Sequence, residues 1–265
     1  MSNKIWGIVL VVSLVIIAVS GVNIYSLSRE YQAGINQYKD LEQYATVEVA
    51  EEVPDKEIVE ETEEVVEEKE ESRIPVSINL NHSHLKSVNE DFKGWLYYEP
   101  LELSYPIVRG DDNDYYTHYT FEKEKNNSGA IFMDFLNKPD YSDYNTIIYG
   151  HNMRNGTMFG SLKKLINDES IIEENPYFYI FTEEKSYMYE IFAVYITRAD
   201  SQTYDLIDSV EAQEDYLKYI DKTATWKSQK EVTGEDKVVT LSTCHGLHSN
   251  NRTVVHGVLI VEEDR

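Results

Sequence analysis

The sequence predicts a mainly β chain, a closed β-barrel with helices attached, on three observations. Short β-branched and aromatic runs recur from residue 95 onward, separated by clusters of Gly, Pro, Asn and Asp. Two stretches, one before those runs and one among them, have helical periodicity instead. Residues 77–93 place Leu80, Leu85, Val88 and Phe92 on one stripe, and residues 210–223 do the same with Val210, Ala212, Tyr216, Leu217 and Ile220. A single cysteine, Cys244, excludes an internal disulfide, so the fold must stand on its core. At 265 residues the chain is long enough for one sizeable domain plus accessory segments. Its formal net charge of −24 argues against nucleic acid, whose phosphates call for a basic patch. The 21 tyrosines suggest a β-rich exported domain with an amphipathic surface.

The elements follow in order. Residues 5–27 are the one long apolar run, enough to cross a hydrocarbon core of about 30 Å as a helix. A cleaved signal peptide is the competing reading, with Ala18-Val19-Ser20 as its small-residue site. The run continues past that site, which favours an uncleaved anchor. Lys4 and the amino terminus precede the span and Arg29 follows it, a slight excess in front that favours the N-in, C-out arrangement. Residues 29–45 carry Tyr31, Ile35, Tyr38 and Leu41 at helical spacing and read as a short amphipathic helix. Residues 46–72 are dominated by Glu, with Lys56 and Lys69 the only basic residues. Like charges repel and little is available to bury, so this segment reads as an extended tether, with an isolated helix as the alternative. Nothing fixes its carboxylates around a common centre, so no metal is assigned to it.

After the helix expected over residues 77–93, residues 95–98 and 104–108 read as strands flanking a turn near Pro100. Residues 111–117 read as a turn and short helix, and 130–134 and 146–149 as compact apolar strands. Residues 158–166 read as a helix, and 177–182 and 187–197 as an antiparallel pair about Glu183-Glu184-Lys185.

The last pair of strands carries the chemistry. Residues 237–260 read KVVTLSTCHGLHSNNRTVVHGVLI, two β-branched runs joined by a Gly/Ser/Asn-rich loop. Cys244 ends the first strand and Arg252 starts the second. Strand alternation puts Val239 and Leu241 on one face and Thr240, Ser242 and Cys244 on a polar, accessible one. A free cysteine is ordinarily a small buried hydrophobe. A nearby cation favours the reactive thiolate, and Arg252 lies across the hairpin. The best candidate for a proton-transfer group is His151, which follows the strand 146–149 after Gly150, although a lone histidine is more often a surface or satisfied core residue. Cys244, His245, His248 and His256 superficially offer a zinc set. Adjacent Cys244 and His245 point to opposite faces of a strand and no CxxC partner exists, so no metal is expected.

TLSTC with an arginine eight positions on, an upstream YGHNM and MFG, and the segment DDNDYYTHYTFEKEKNNSGAIFMDF at residues 111–135 together resemble the class B sortases. The resemblance covers about residues 80 to 262. It implies an eight-stranded sortase-type β-barrel with an N-terminal helix and a helix-containing loop before the cysteine strand. It also implies an enzyme outside the cytoplasmic membrane of Gram-positive bacteria; with the apolar run and the acidic stretch, the expected division is residues 1–28 (cytoplasmic tip and transmembrane anchor), 29–74 (juxtamembrane helix and acidic linker) and 75–265 (catalytic domain).

The implied reaction is cleavage after Thr in a C-terminal sorting signal through a thioacyl-enzyme, followed by transfer to an amine of peptidoglycan or its lipid-linked precursor. Cys244 is the only sulfur nucleophile available, His151 moves the proton, and Arg252 steadies the developing oxyanion. No cofactor is needed. The expected partners are surface proteins bearing the sorting signal, the wall amine and the membrane. Asn113, Thr117, Tyr204 and Ser242 match groove positions of the family, although turn capping by Asn113 and packing by Tyr204 are equally ordinary roles. His245 stands where some class B members have an acidic residue. A cysteine protease that hydrolyses its acyl-enzyme and a non-catalytic wall-binding module are the rival readings.

Overall fold

The computed structural model describes residues 3–49, 74–244 and 250–265. Helix α1 (Asn3–Leu41) is continuous, so the apolar run and the amphipathic segment expected as separate units form one 39-residue helix. No proline interrupts it, and nothing else in the stretch ends a helix before a short 3-10 turn at Glu42–Tyr44. Its first half is exposed, whereas Tyr38 and Leu41 are buried in the core.

Strand β1 (Ala45–Val49) pairs antiparallel with β2 (Val76–Leu80), with Ala45 opposite Leu80. The first residues assigned to the acidic tether are therefore a strand, and the rest of that segment lies outside the described residues. The helix expected over residues 77–93 is corrected too, because only α2 (His82–Val88) is helical. Val76 and Ile78 are buried alternately with exposed neighbours, a period of two, and the Asn81 side chain caps α2 by accepting from the His84 amide at 3.1 Å.

The barrel runs through β3 (Phe92–Tyr98), β4 (Leu103–Val108), the short helix α3 (Tyr115–His118), β5 (Ile131–Met133) and β6 (Asn145–Tyr149). The helix expected over residues 158–166 is instead a 3-10 turn at Phe159–Ser161 followed by α4 (Lys164–Asn167). Met158 has φ 53°, which ends any helix there, and Gly160 is pressed against the Met153 carbonyl where a Cβ would collide. Then come α5 (Ser170–Glu174), β7 (Tyr177–Phe181), β8 (Lys185–Arg198), a 3-10 turn at Gln202–Tyr204, α6 (Val210–Thr223), β9 (Trp226–Lys227), β10 (Val238–Cys244) and β11 (Asn251–Asp264).

Pairing follows the order β11-β10-β6-β5-β4-β3-β7-β8, and β8 pairs back to β11 from Lys185 to Arg198, which closes the ring. Eight described strands thus form a closed barrel, with β9 a short addition beside β8. Closure leaves no unpaired edge where the site is built. Trp95, Phe178, Phe181 and Tyr189 fill the interior. A second cluster, with Tyr216 and Ile220 of α6 over Phe192, Tyr195, Val254 and Val258, covers the outside of β8 and β11.

Candidate active site

Strand register assembles the site. β6 and β10 run parallel with Tyr149 opposite Ser242, and β10 and β11 run antiparallel with Cys244 opposite Arg252. His151 and Cys244 each lie two residues past that Tyr149–Ser242 pair. The backbones of His151, Cys244 and Arg252 therefore meet at one rim of the barrel, on three successive strands. The Gly150 amide donates to the Ser242 carbonyl at 3.2 Å and extends the pairing to the residue before His151. Gly150 is required by close approach rather than by its dihedral freedom: a Cβ there would lie 2.5 Å from Ile131 Cδ1 and 2.8 Å from Phe159 Cγ.

The rim opens into a trough of about 320 Å³ whose walls include Asn113, Thr117, Phe132, Tyr149, His151, Tyr204, Ser242, Thr243 and Arg252. The described atoms of the family-predicted set thus come together. The Cys244 side chain, His245 and His248 lie outside the described residues.

His151 is half-buried, with Nε2 2.7 Å from the Thr117 carbonyl oxygen. A carbonyl only accepts, so Nε2 carries hydrogen while this bond stands, and Nδ1 is the nitrogen available to gain or lose a proton. Thr117 holds its own place by donating from Oγ1 to the Asp114 carbonyl at 2.6 Å. On β11, Arg252 lines the trough and donates from Nη1 to the Asn251 carbonyl at 3.1 Å.

Opposite His151 the wall is a hydrogen-bonded relay. Tyr204 and Ser242 share a hydrogen bond of 2.8 Å, and the Tyr204 ring stacks on Tyr149 at 6.2 Å between centroids. Tyr149 donates to Asp134 Oδ2 at 2.8 Å, and Asn113 Nδ2 donates to the same oxygen at 2.8 Å. The Phe135 amide donates to Asn113 Oδ1 at 3.0 Å, so the Asn113 amide already ties the α3 approach to the end of β5. Burial, and next the neighbouring Asp134 charge, push the Tyr149 phenol far above its ordinary range, which keeps it a donor. Tyr149 and Phe132 in the wall, and Asp134 behind it, were passed over by sequence reasoning. The available signal was their place inside YGHN (Tyr149) and IFMDF (Phe132 and Asp134).

One expectation about this strand is corrected. Thr240 and Ser242 do not lie on an accessible face, since both are buried beneath the segment between β8 and β10. Thr240 donates from Oγ1 to Asn145 Oδ1 at 2.7 Å and contacts His256 Nδ1 at 2.9 Å, while His256 Nε2 meets the Tyr195 hydroxyl at 2.9 Å. Both ring nitrogens of His256 are thereby occupied, which removes it from any zinc set with Cys244. Of the tyrosines, Tyr98, Tyr116, Tyr141, Tyr189 and Tyr195 are fully buried and belong to the interior rather than to an amphipathic surface.

Residues 96–260 match the sortase domain family. Sortase B of Listeria monocytogenes is 37% identical over 181 residues, which span 67% of this chain and 73% of that protein. Sortase B from Bacillus anthracis superposes with a TM-score of 0.68 at 28% identity, covering 88% of this chain and 98% of that one. A Staphylococcus aureus sortase B–substrate complex gives 0.63 at 28% identity, over 68% and 84% of the two chains. The barrel topology, the cysteine-strand register and these likenesses converge, and the chain belongs to the sortase family as a class B member.

Proposed function

We propose that this chain is a membrane-anchored cysteine transpeptidase that cuts a C-terminal sorting signal after Thr and joins the new C-terminus to a cell-wall amine. The observation that carries this reading is the register meeting of His151, Cys244 and Arg252 at one rim. The S. aureus neighbour is a substrate complex, and a sorting-signal peptide is the ligand we assign to the equivalent trough here. In the first half-reaction the Cys244 thiol passes its proton to His151 Nδ1 and the resulting thiolate attacks the Thr carbonyl carbon. The C–N bond breaks, a thioester forms, and the departing amine takes a proton from His151 Nδ1. In the second, an amine of peptidoglycan or its lipid-linked precursor attacks the thioester, gives its proton to Nδ1, and releases the sulfur. Arg252, permanently charged, balances the oxyanion that forms in each step. Asn113, Thr117 and Tyr204 form the wall that meets the peptide, and Ser242 backs that wall through its hydrogen bond to Tyr204.

The chain divides in this reading into an anchor and cytoplasmic tip at 1–28, a juxtamembrane helix and acidic linker at 29–74, and a catalytic barrel outside the membrane at 75–265. The helix of α1 is long and apolar enough to cross a bilayer, which is compatible with a single-pass anchor. The test is incubation of the full chain in detergent micelles with a sorting-signal peptide and an amine acceptor. A ligated product is expected. Water as the only acceptor would make the protein a protease, and no cleavage would make it a binding module. Cys244→Ala, His151→Ala and Arg252→Ala are each expected to lower turnover about a hundredfold or more. Full transfer by Cys244→Ala would remove the nucleophile from this reading.

A further inference from the structure

Helix α1 does more than tether the barrel, because its second half touches both segments that hold His151. Tyr38 is buried, and its hydroxyl donates to the Gly129 carbonyl at 2.6 Å and accepts from the Phe121 amide at 3.2 Å. One phenol therefore pins both ends of the loop between α3 and β5. That loop begins just past Thr117, whose carbonyl receives His151 Nε2, and it ends against the imidazole itself. A Cβ built on Gly129, which has φ 56°, would lie 3.0 Å from His151 Cδ2 and 3.0 Å from the Thr117 oxygen. Gly129 thus packs directly beside both the ring and its acceptor, and only a residue without a side chain fits there.

The other side of His151 is reached from the same phenol. The Tyr38 ring packs edge-on against Tyr105 at 5.4 Å, and the Tyr105 hydroxyl accepts the Met158 amide at 3.1 Å. Met158 bridges back to Asn152, and the Phe159 amide donates to the His151 carbonyl at 3.0 Å. Upstream on α1, Gly34 lets the helix approach Ser128, where a Cβ would lie 2.8 Å from Ser128 Oγ. The Glu30 carbonyl accepts from Asn126 Nδ2 at 2.9 Å. These contacts dock the helix on the loop that frames the imidazole, far from its own exposed apolar half. Burial raises the Tyr38 phenol well above its ordinary range, so it remains a hydroxyl donor over the working pH range.

We propose that Tyr38 is a positioning residue for the transpeptidation reaction, and that the extramembrane half of α1 is a working part of the catalytic site which fixes the His151 ring against Thr117. The proposal rests on His151 being the proton-transfer group. Imidazole placement sets whether Nδ1 reaches the leaving amine, and displacements on the order of 1 Å are costly to such transfers.

The test compares Tyr38→Phe with the parent as full chain in detergent micelles. Tyr98→Phe serves as control, since it removes another core hydroxyl, one bonded to the Asn175 carbonyl at 3.0 Å. Tyr38→Phe is expected to lower kcat about tenfold with KM for the sorting peptide unchanged. It is also expected to move the ¹⁵N resonances of the His151 ring away from the Nε2–H form. Tyr98→Phe is expected to lower the melting temperature by as much as Tyr38→Phe while leaving kcat and the His151 resonances at parent values. A Tyr38→Phe protein with parent kcat and parent ring resonances overturns the proposal, and so does an equal kcat loss in Tyr98→Phe. Parent turnover in His151→Ala would instead overturn the function assigned above, and the ring resonances would still report whether Tyr38 positions the imidazole.

Discussion

His151 and His256 are the same side chain put to opposite uses. His151 gives one nitrogen to the Thr117 carbonyl and faces a trough with the other side of its ring half-buried. His256 is wholly buried with Tyr195, Thr240 and Tyr216 around it, and desolvation lowers it to about 3 from an ordinary 6.5. Between those two values the unfolded chain binds a proton that the folded chain refuses. The His256 contribution is therefore intact above pH 6.5 and is lost as pH falls toward 3, amounting to about 2 kcal/mol by pH 5. Urea midpoints at pH 7.5 and 5.0 measure it. His256→Gln is expected to be less stable than the parent at pH 7.5 yet to lose less on acidification. Parallel losses in the two proteins would assign the acid sensitivity elsewhere. From sequence, His256 sat in a superficial zinc pattern with Cys244, His245 and His248, because nothing local reveals that its two nitrogens meet hydroxyls from β8 and β10.

At the scale of elements, legibility followed how local the cause was. The helix α6 was expected over the residues where it forms, because its stripe is regular and Ser209 caps it by accepting from the Ala212 amide at 3.2 Å. The β10–β11 pair was equally plain from two β-branched runs about a turn-rich loop. The break at Met158 and the relay Asn113–Asp134–Tyr149–Tyr204–Ser242 were not, since each depends on chain segments brought together only by the barrel. Gly257 is the same kind of case. It interrupts an otherwise good strand, and the register with β8 shifts between His256 and Gly257. Its φ is unexceptional, but a Cβ there would run into the Phe178 ring and lie 3.0 Å from Tyr189 Cβ. Gly257→Ala is expected to destabilise the barrel by about 2 kcal/mol, seen as a fall of several degrees in melting temperature. Adding Phe178→Leu should recover part of that loss. A Gly257→Ala protein as stable as the parent would mean that the seam between β8 and β11 tolerates volume at this point.

For the whole molecule, α1 is one unbroken helix from its apolar run to its docked end, which makes it a strut. In the proposed topology residues 5–27 cross the bilayer, and residues 28–41, about 20 Å of helix, lie outside it against the barrel. Because Glu30, Gly34 and Tyr38 dock that part on the loop framing His151, the trough is held at a fixed height and tilt above the lipid in the proposed topology. A fixed height matters only for substrates that are themselves held in the bilayer. A four-residue Gly-Ser insertion between Leu27 and Ser28 separates the two effects, since it frees the strut from the anchor without touching the docking contacts. Turnover of a free sorting peptide in micelles is expected to stay within about twofold of the parent, because the site is intact. In vesicles, with substrate protein and chain anchored in the same bilayer, the rate is expected to fall about fivefold as the trough loses its set orientation and its effective concentration of substrate drops. An unchanged vesicle rate would show that α1 acts as a flexible leash despite its continuity. A loss on the free peptide as large as that in vesicles would show that the insertion had disturbed the docking itself.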